Sequence, residues 1–305
     1  MKSVAVPPFL KNGDTIAIVS TARKIAPDEL LPAVAAYEKE GFKVRLGKTI
    51  GRSFHQFAGS DNERLADFQE MIDDGEVKAI ICARGGYGTS RIIDRLDFSR
   101  FEQKPKWIVG YSDVTVLHCH VVKNHGVATL HATMPLHMLK CDQDQESFDS
   151  LVAVLKGKIK NYDFDPHLLN RAGMASGELT GGNLSIIYNL TGTASEPDTD
   201  GKILFLEDLD EYLYHVDRMM VMLKRAGKLE NLAGLLIGGM TGMNDNAVPF
   251  GQSAEEIIRA HVEDYTYPVA FGFPAGHGPR NLAMVMGMPS TLNVNNNGCS
   301  ISFQS

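Results

Sequence analysis

The chain of 305 residues is 44% hydrophobic and 22% charged, with a formal net charge of -7, a composition able to bury a sizeable core as one large domain or two ordinary ones. The negative balance, without any Lys/Arg-rich run, argues against a nucleic-acid partner or an anionic membrane surface. No apolar run approaches the roughly 20 residues needed to span a bilayer, and Pro7 and Pro8 interrupt "MKSVAVPPFLKNGD" before a secretory signal can form, so the sequence predicts a cytoplasmic protein.

The first half alternates between strand and helix periods. "TIAIVST" is a short β-branched apolar run, as in a buried parallel strand. "PDELLPAVAAYEKEGF" has helical spacing, with Pro32 near its first turn and Gly41 as its stop. "KVRLG" is a second strand. "SDNERLADFQEMIDDGEV" is a helix capped by Ser60 or Asp61, with Gly75 past its end. "KAIICARGG" is a strand entering a glycine-rich loop, "TSRIIDRLDF" a short helix and "KWIVGYS" another strand. "DVTVLHCHVVKNHG" is a helix and "VATLHA" one more strand. This order predicts an open, doubly wound parallel sheet, with ligands binding beyond the carboxyl ends of the strands. Both "CARGGYG" and "GYSD" fall at such ends.

After the helix "ESFDSLVAVLKG", the polar and aperiodic "NYDFDPHLLNRAGM" reads as a linker. Beyond it come a glycine-dense segment with a short helix, the strand "GKILFLEDLD" and the amphipathic helix "HVDRMMVMLKRAG". The strand-like runs "LAGLLIGGM" and "YPVAFGFPAGHG" and a tail of short strands complete the chain. The expected organisation is an α/β doubly wound domain over 1–160, a linker over 161–173 and a smaller, mixed, β-rich domain over 174–305. Cys82, Cys119, Cys141 and Cys299 are too far apart for a zinc knuckle or disulfide framework, and Cys82 and Cys119 lie in apolar runs as buried thiols would. His118, His120, His125, His131 and His137 lie close in sequence. However, His118 and His120 point in different directions on a helix and no HExxH spacing occurs, which favours ordinary histidines over a metal site.

Three places carry chemistry. Ser112 stands at a strand-to-helix turn, where a nucleophilic hydroxyl could be exposed and the helix start could support a developing oxyanion; helix capping is the alternative. The hydrolase pattern GxSxG is not met, because Val114 takes its last position. The loop "RGGYG", Arg84 to Gly88, suits an anion or oxyanion site or simply a turn, and it matches no nucleotide-binding pattern. Glu207 ends an apolar strand and His277 lies between two glycines, positions where solvated side chains are ordinary. Spacing alone does not reveal a triad.

Taken together, "GDTIAIVSTA", "DNERLADFQEMIDDGEVKAIICARGGYG", "IVGYSDVTVLH", "GELTGGNL", "GTASEPDTDGKILFLEDLDEYLYHVDRMM" and "FGFPAGHG" resemble the LD-carboxypeptidase family, serine peptidases of murein tetrapeptide recycling. The resemblance covers nearly the whole chain. It implies a doubly wound N-terminal domain joined to a β-rich C-terminal domain. It also implies Ser112 as nucleophile, Glu207 and His277 as acid and base of a triad, and oxyanion-hole amides from Gly86 and Asp113. Further implications are a homodimer and no metal or organic cofactor. A carboxypeptidase must recognise a free carboxylate, and Arg84 is the available cation beside the glycine loop. One departure is "LHATMP", where the family more often has His-Gly-Pro-Met, in a stretch expected to lie away from the triad. A rival within the family is an immunity-type peptidase that cleaves a toxic peptidyl-nucleotide. It would need an aromatic pocket, and the one tryptophan, Trp107, falls on a buried strand. A non-catalytic small-molecule binder using the same cleft is the rival of another class. A nucleotide-binding oxidoreductase lacks its fingerprint.

Overall fold

The computed structural model describes residues 4–138, 142–158 and 161–304. It divides into two compact units, Met1–Ile159 with Leu282–Val285 and Lys160–Asn281 with Met286–Ser305.

The first unit alternates β1 (Thr15–Val19), α1 (Leu31–Lys39), β2 (Lys43–Leu46), α2 (Asp61–Asp73), β3 (Val77–Cys82), α3 (Ser99–Gln103), β4 (Trp107–Gly110), α4 (Thr115–His125), β5 (Thr129–His131) and α5 (Asp142–Leu155). Strands β2, β1, β3, β4 and β5 pair in that order, all parallel. The sheet is continuous apolar sequence because both of its faces are covered: Ile16, Ile18, Ile80, Ile81, Ile108 and Val109 have no exposed surface. The order reverses between β1 and β3, the switch point at whose carboxyl ends open α/β sheets bind ligands. The loops after β3 and β4 carry "CARGGYG" and "GYSD", on neighbouring strands, as the alternation predicts.

Local chemistry sets the boundaries. Ser60 caps α2 by accepting from the Glu63 amide at 3.3 Å, while Glu63 accepts from the Ser60 amide at 2.8 Å. The segment "TSRIIDRLDF" is not one short helix but two 3-10 turns, Thr89–Arg91 and Ile93–Arg95. Their bonds run three residues back, Ile92 N–H to the Thr89 carbonyl at 3.1 Å and Leu96 N–H to that of Ile93 at 3.2 Å. Asp97 then diverts the chain by accepting from the Ser99 amide at 2.9 Å, which starts α3.

The second unit contains β6 (Tyr162–Phe164), β7 (Gly173–Asn183), α6 (Leu184–Leu190), β8 (Ile203–Leu209), α7 (Leu213–Arg225), β9 (Gly234–Thr241), α8 (Ala254–His261) and β10 (Val269–Ala270). Strands β11 (Met284–Met286), β12 (Pro289–Asn295) and β13 (Gly298–Phe303) follow; β11 joins the first unit's sheet beside β5. The seven-stranded sheet of the second unit has the order β10-β9-β8-β7-β12-β13-β6. It is parallel from β10 to β7 and antiparallel from β7 to β6. The long strand β7 makes the change, pairing through Gly173–Glu178 with β12 and through Leu179–Asn183 with β8. The segment over 161–173, expected to be an aperiodic linker, contributes β6. Tyr162 is buried there, and the Tyr162 and Phe164 rings pack on Phe273 at 6.1 and 5.3 Å. Of "YPVAFGFPAGHG", expected to be strand-like, only β10 is strand.

Cys82, Cys119 and Cys299 are free and buried, and Cys141 lies outside the described residues. Four of the clustered histidines, His118, His120, His125 and His137, have hydrogen-bond partners of their own. His118 lies between Gly110 and Thr129, His125 meets Glu102 at 2.7 Å and His137 meets Tyr111 at 2.9 Å. Among the described residues, no group of three or more His, Cys, Asp or Glu side chains could hold a metal ion, and no helix is long and apolar enough to cross a membrane.

Candidate active site

Ser112 follows the end of β4 in a left-handed conformation, with φ at +63°. For a residue with a Cβ this costs about 1–2 kcal/mol, a strain the surroundings must hold. It is not the capping residue: Tyr111 takes that position, and no side chain caps the turn Ser112–Val114. Behind the turn, the Gly110 carbonyl accepts from His118 Nε2–H at 2.9 Å and from the Ala132 amide at 3.1 Å. His118 Nδ1 in turn accepts from the Thr129 hydroxyl at 2.9 Å. This fixes His118 as the neutral Nε2–H tautomer, and burial pulls its pKa down from 6.5 to about 4.

The consequence is a pH-dependent stability. Below about 6.5 the unfolded imidazole takes a proton that the folded one refuses until about 4. Over that window each falling pH unit costs about 1.4 kcal/mol. Urea midpoints measured from pH 7 to 5 should therefore fall less steeply in His118→Gln than in the parent. Equal slopes would show that His118 contributes nothing.

In front of the turn lies the glycine loop. A Cβ placed on Gly85 would be 2.9 Å from both Cβ and Oγ of Ser112, so only glycine permits this approach. The same Cβ would meet Met134 Cε at 3.4 Å. The "LHATMP" departure thus lies beside the loop that touches Ser112, not away from it, because β5 neighbours β4. Asp113, fully buried, ties turn to loop: its Oδ2 accepts from the Thr89 amide at 2.9 Å. Burial raises its pKa, an effect that the Thr89 and Gly88 hydrogen bonds and the Arg64 charge oppose. Arg64, also fully buried, donates to the carbonyls of Thr21 and Gly88, the latter at 2.8 Å, and pairs with Asp61. Gly86 and Asp113 therefore belong to one clamped strand-end assembly with Ser112. Arg84 is half-buried. Its Nη1 donates to the Lys24 carbonyl at 3.1 Å, and its Nε is buried without a partner among the described residues. Burial, then the charge of Arg23, lowers its pKa.

In the second unit, Glu207 lies on β8 with no exposed surface, and does not face water as a strand-end acid ordinarily would. It occupies a register shift: Leu206 pairs with Ile237 but Asp208 with Met240, so β9 carries an extra residue there. His277 is also more than a solvated loop histidine. Its loop hangs on β9, through Phe273 N–H to the Ile237 carbonyl at 3.0 Å and Gly239 N–H to that of Ala275 at 2.9 Å. Gly276, at φ +108°, leaves room for the acid, since a Cβ there would be 2.5 Å from Glu207 Oε2. His277 Nδ1–H donates to Glu207 Oε2 at 2.7 Å. The bond fixes the tautomer and makes Nε2 the basic nitrogen. Burial pulls the His277 pKa down, but the hydrogen bond and charge of Glu207, with the charge of Asp208, outweigh it and leave the pKa above its ordinary value.

Asp208 was not legible as a site neighbour. Burial first, then the Glu207 charge, pushes its pKa to about 7. Hydrogen bonds from Asn183 Nδ2, the Ser185 amide and the Leu209 amide, each 2.8 Å, hold the carboxyl in place.

The first unit thus carries a serine in a strained strand-end turn beside a glycine loop, and the second, taken by itself, a histidine oriented by a buried acid. Residues 16–132 match the family model of the LD-carboxypeptidase N-terminal domain, and residues 176–292 that of the C-terminal domain. The "Probable murein peptide carboxypeptidase" of Bacillus subtilis (strain 168) is 37% identical over 298 residues, covering 94% of this chain and 91% of its own. The "Microcin C7 self-immunity protein MccF" of Escherichia coli is 24% identical, covering 96% and 94%. The crystal structure of muramoyltetrapeptide carboxypeptidase from Oxalobacter formigenes superposes with a TM-score of 0.87 at 25% identity, covering 95% of this chain and 99% of that one. The chain belongs to the LD-carboxypeptidase family of serine peptidases.

Proposed function

We propose that this enzyme removes the terminal D-Ala from murein tetrapeptide in peptidoglycan recycling, as a cytoplasmic homodimer. Ser112 Oγ attacks the carbonyl carbon of the L,D-peptide bond while His277 Nε2 takes its proton. Glu207 orients the imidazole and stabilises its charged form. The amides of Gly86 and Asp113 hold the oxyanion, each worth about 3 kcal/mol. Collapse of the tetrahedral intermediate returns the proton from His277 to the leaving amine of D-Ala. Water, activated by the same imidazole, then cleaves the acyl-enzyme and frees the tripeptide and Ser112. The reaction uses neither metal nor organic cofactor. Arg84 binds the terminal carboxylate.

The observation that carries this reading is the 2.7 Å bond between His277 and the fully buried Glu207. A general base of this kind has little use in a mere binder. The murein reading over the immunity-type one is supported by the burial of Trp107, which has no exposed surface to stack on a nucleotide base.

Tetrapeptides ending in D-Ala or L-Ala, and a peptidyl sulfamoyl nucleotide, separate the readings by mass analysis. Tripeptide should form from the D-Ala substrate alone. Cleavage of the nucleotide conjugate alone would assign the immunity-type activity, and cleavage of none would remove the enzyme reading. On the D-Ala substrate, Arg84→Ala should raise KM about tenfold or more, the loss falling on KM rather than kcat. An unchanged KM would remove Arg84 from carboxylate recognition.

A further inference from the structure

We infer that Arg23 is a specificity determinant that binds a second substrate carboxylate, carried by the residue on the acyl side of the scissile bond. The inference rests on the acyl-transfer reading above and names the residue type that precedes the terminal D-amino acid.

Arg23 lies just beyond the carboxyl end of β1, and Arg84 just beyond that of β3. These are the two strands between which the sheet order reverses, the place where open α/β sheets bind ligands. The Arg23 backbone is fixed there: its carbonyl accepts from Ser20 Oγ at 2.6 Å, and the residue bridges to Phe57. Its side chain crosses Gly86. A Cβ on Gly86 would be 2.6 Å from Arg23 Cδ, 2.7 Å from Cγ and 3.0 Å from Nε. The stem of Arg23 thus lies over the residue proposed to hold the carbonyl oxygen, one residue from the glycine that touches Ser112.

Two guanidinium groups therefore share this edge, and the lowering of the Arg84 pKa includes the charge of Arg23. Among the described residues neither forms an ion pair with a carboxylate. The neighbouring acids are committed elsewhere. Glu29, whose charge also reaches Arg84, accepts from the Ala26 amide at 2.8 Å; Asp61 pairs with Arg64 and Arg91; Glu63 caps α2. Adjacent like charges without a counterion are unfavourable, and an arriving pair of carboxylates relieves both. With Arg84 on the carboxylate of the leaving amino acid, the partner of Arg23 belongs to the other side of the bond. A diamino dicarboxylic acid at that position carries such a group on its side chain; lysine does not.

The test uses two tetrapeptides ending in D-Ala that differ in the third residue, diaminopimelate or lysine. Wild-type enzyme should favour the diaminopimelate peptide about tenfold or more in kcat/KM. Arg23→Met keeps the aliphatic stem over Gly86 and removes the charge. It should collapse that ratio towards unity, with the change in KM, and Arg23→Lys should restore part of it. A wild-type ratio near unity, a ratio unmoved in Arg23→Met, or equal losses on both peptides would overturn the role of Arg23. Failure of wild-type enzyme to cleave either peptide would instead sink the acyl-transfer reading.

Discussion

Ser112→Ala should lose hydrolysis of the D-Ala tetrapeptide by about ten-thousand-fold or more in kcat, since removing the proposed nucleophile of a concerted set would forfeit nearly all of its contribution. The loss should occur without unfolding. The Ser112 backbone is held by the Gly110 carbonyl contacts and by Asp113, none of which involves the Ser112 hydroxyl. A companion variant exposes the strain. Ser112→Gly removes the Cβ from a left-handed residue at φ +63°. It should be as inactive as Ser112→Ala yet more stable than it by about 1 kcal/mol. Thermal melts and steady-state assays on the two variants read both effects. A Ser112→Ala enzyme near wild-type activity removes the mechanism, and a Ser112→Gly enzyme that melts below it removes the claim of stored strain.

Glu207→Gln should keep the shape of the pair and lose its charge. The amide can present a donor to His277 Nδ1, favouring the wrong tautomer, and it no longer stabilises the imidazolium. The expected fall in kcat is about a thousand- to ten-thousand-fold. The pH profile supplies a sign as well as a size. In the proposed mechanism catalysis requires neutral His277, so activity should fall as pH drops through its pKa, which Glu207 holds above the ordinary value against the opposing effect of burial. With the charge gone burial dominates, and the acid limb of kcat/KM should move to lower pH. A limb that stays fixed or moves upward would show that His277 does not set it.

Much of the first unit is visible in its sequence because its elements are locally determined. "TIAIV" and "KAIIC" are continuous apolar runs, Ser60 and Glu63 spell out a cap, and a glycine two residues before Ser112 announces a sharp turn. The failed GxSxG pattern has a spatial explanation. A Cβ on Gly110 would be 2.8 Å from Val114 Cγ2, so valine fills the space above the first glycine. What the sequence hides is set by tertiary contacts. The left-handed Ser112, the extra β9 residue opposite Glu207 and the burial of Arg64 and Asp208 depend on neighbours far along the chain. The strand β6 was hidden for a related reason: three residues of "YDF" show no convincing period, and only pairing with β13 makes them a strand. Family likeness alone points to Glu207, His277 and the two amides, whereas the placement of Arg23 depends on its stem crossing Gly86, a tertiary contact.

The most direct check of the central claim is progressive modification with a serine-directed fluorophosphonate, following residual tetrapeptide hydrolysis against the fraction of Ser112 carrying the label by peptide mass mapping. The account predicts a line falling to zero activity at full occupancy of Ser112. Label on another residue tracking the loss, or undiminished turnover with Ser112 fully blocked, would contradict it.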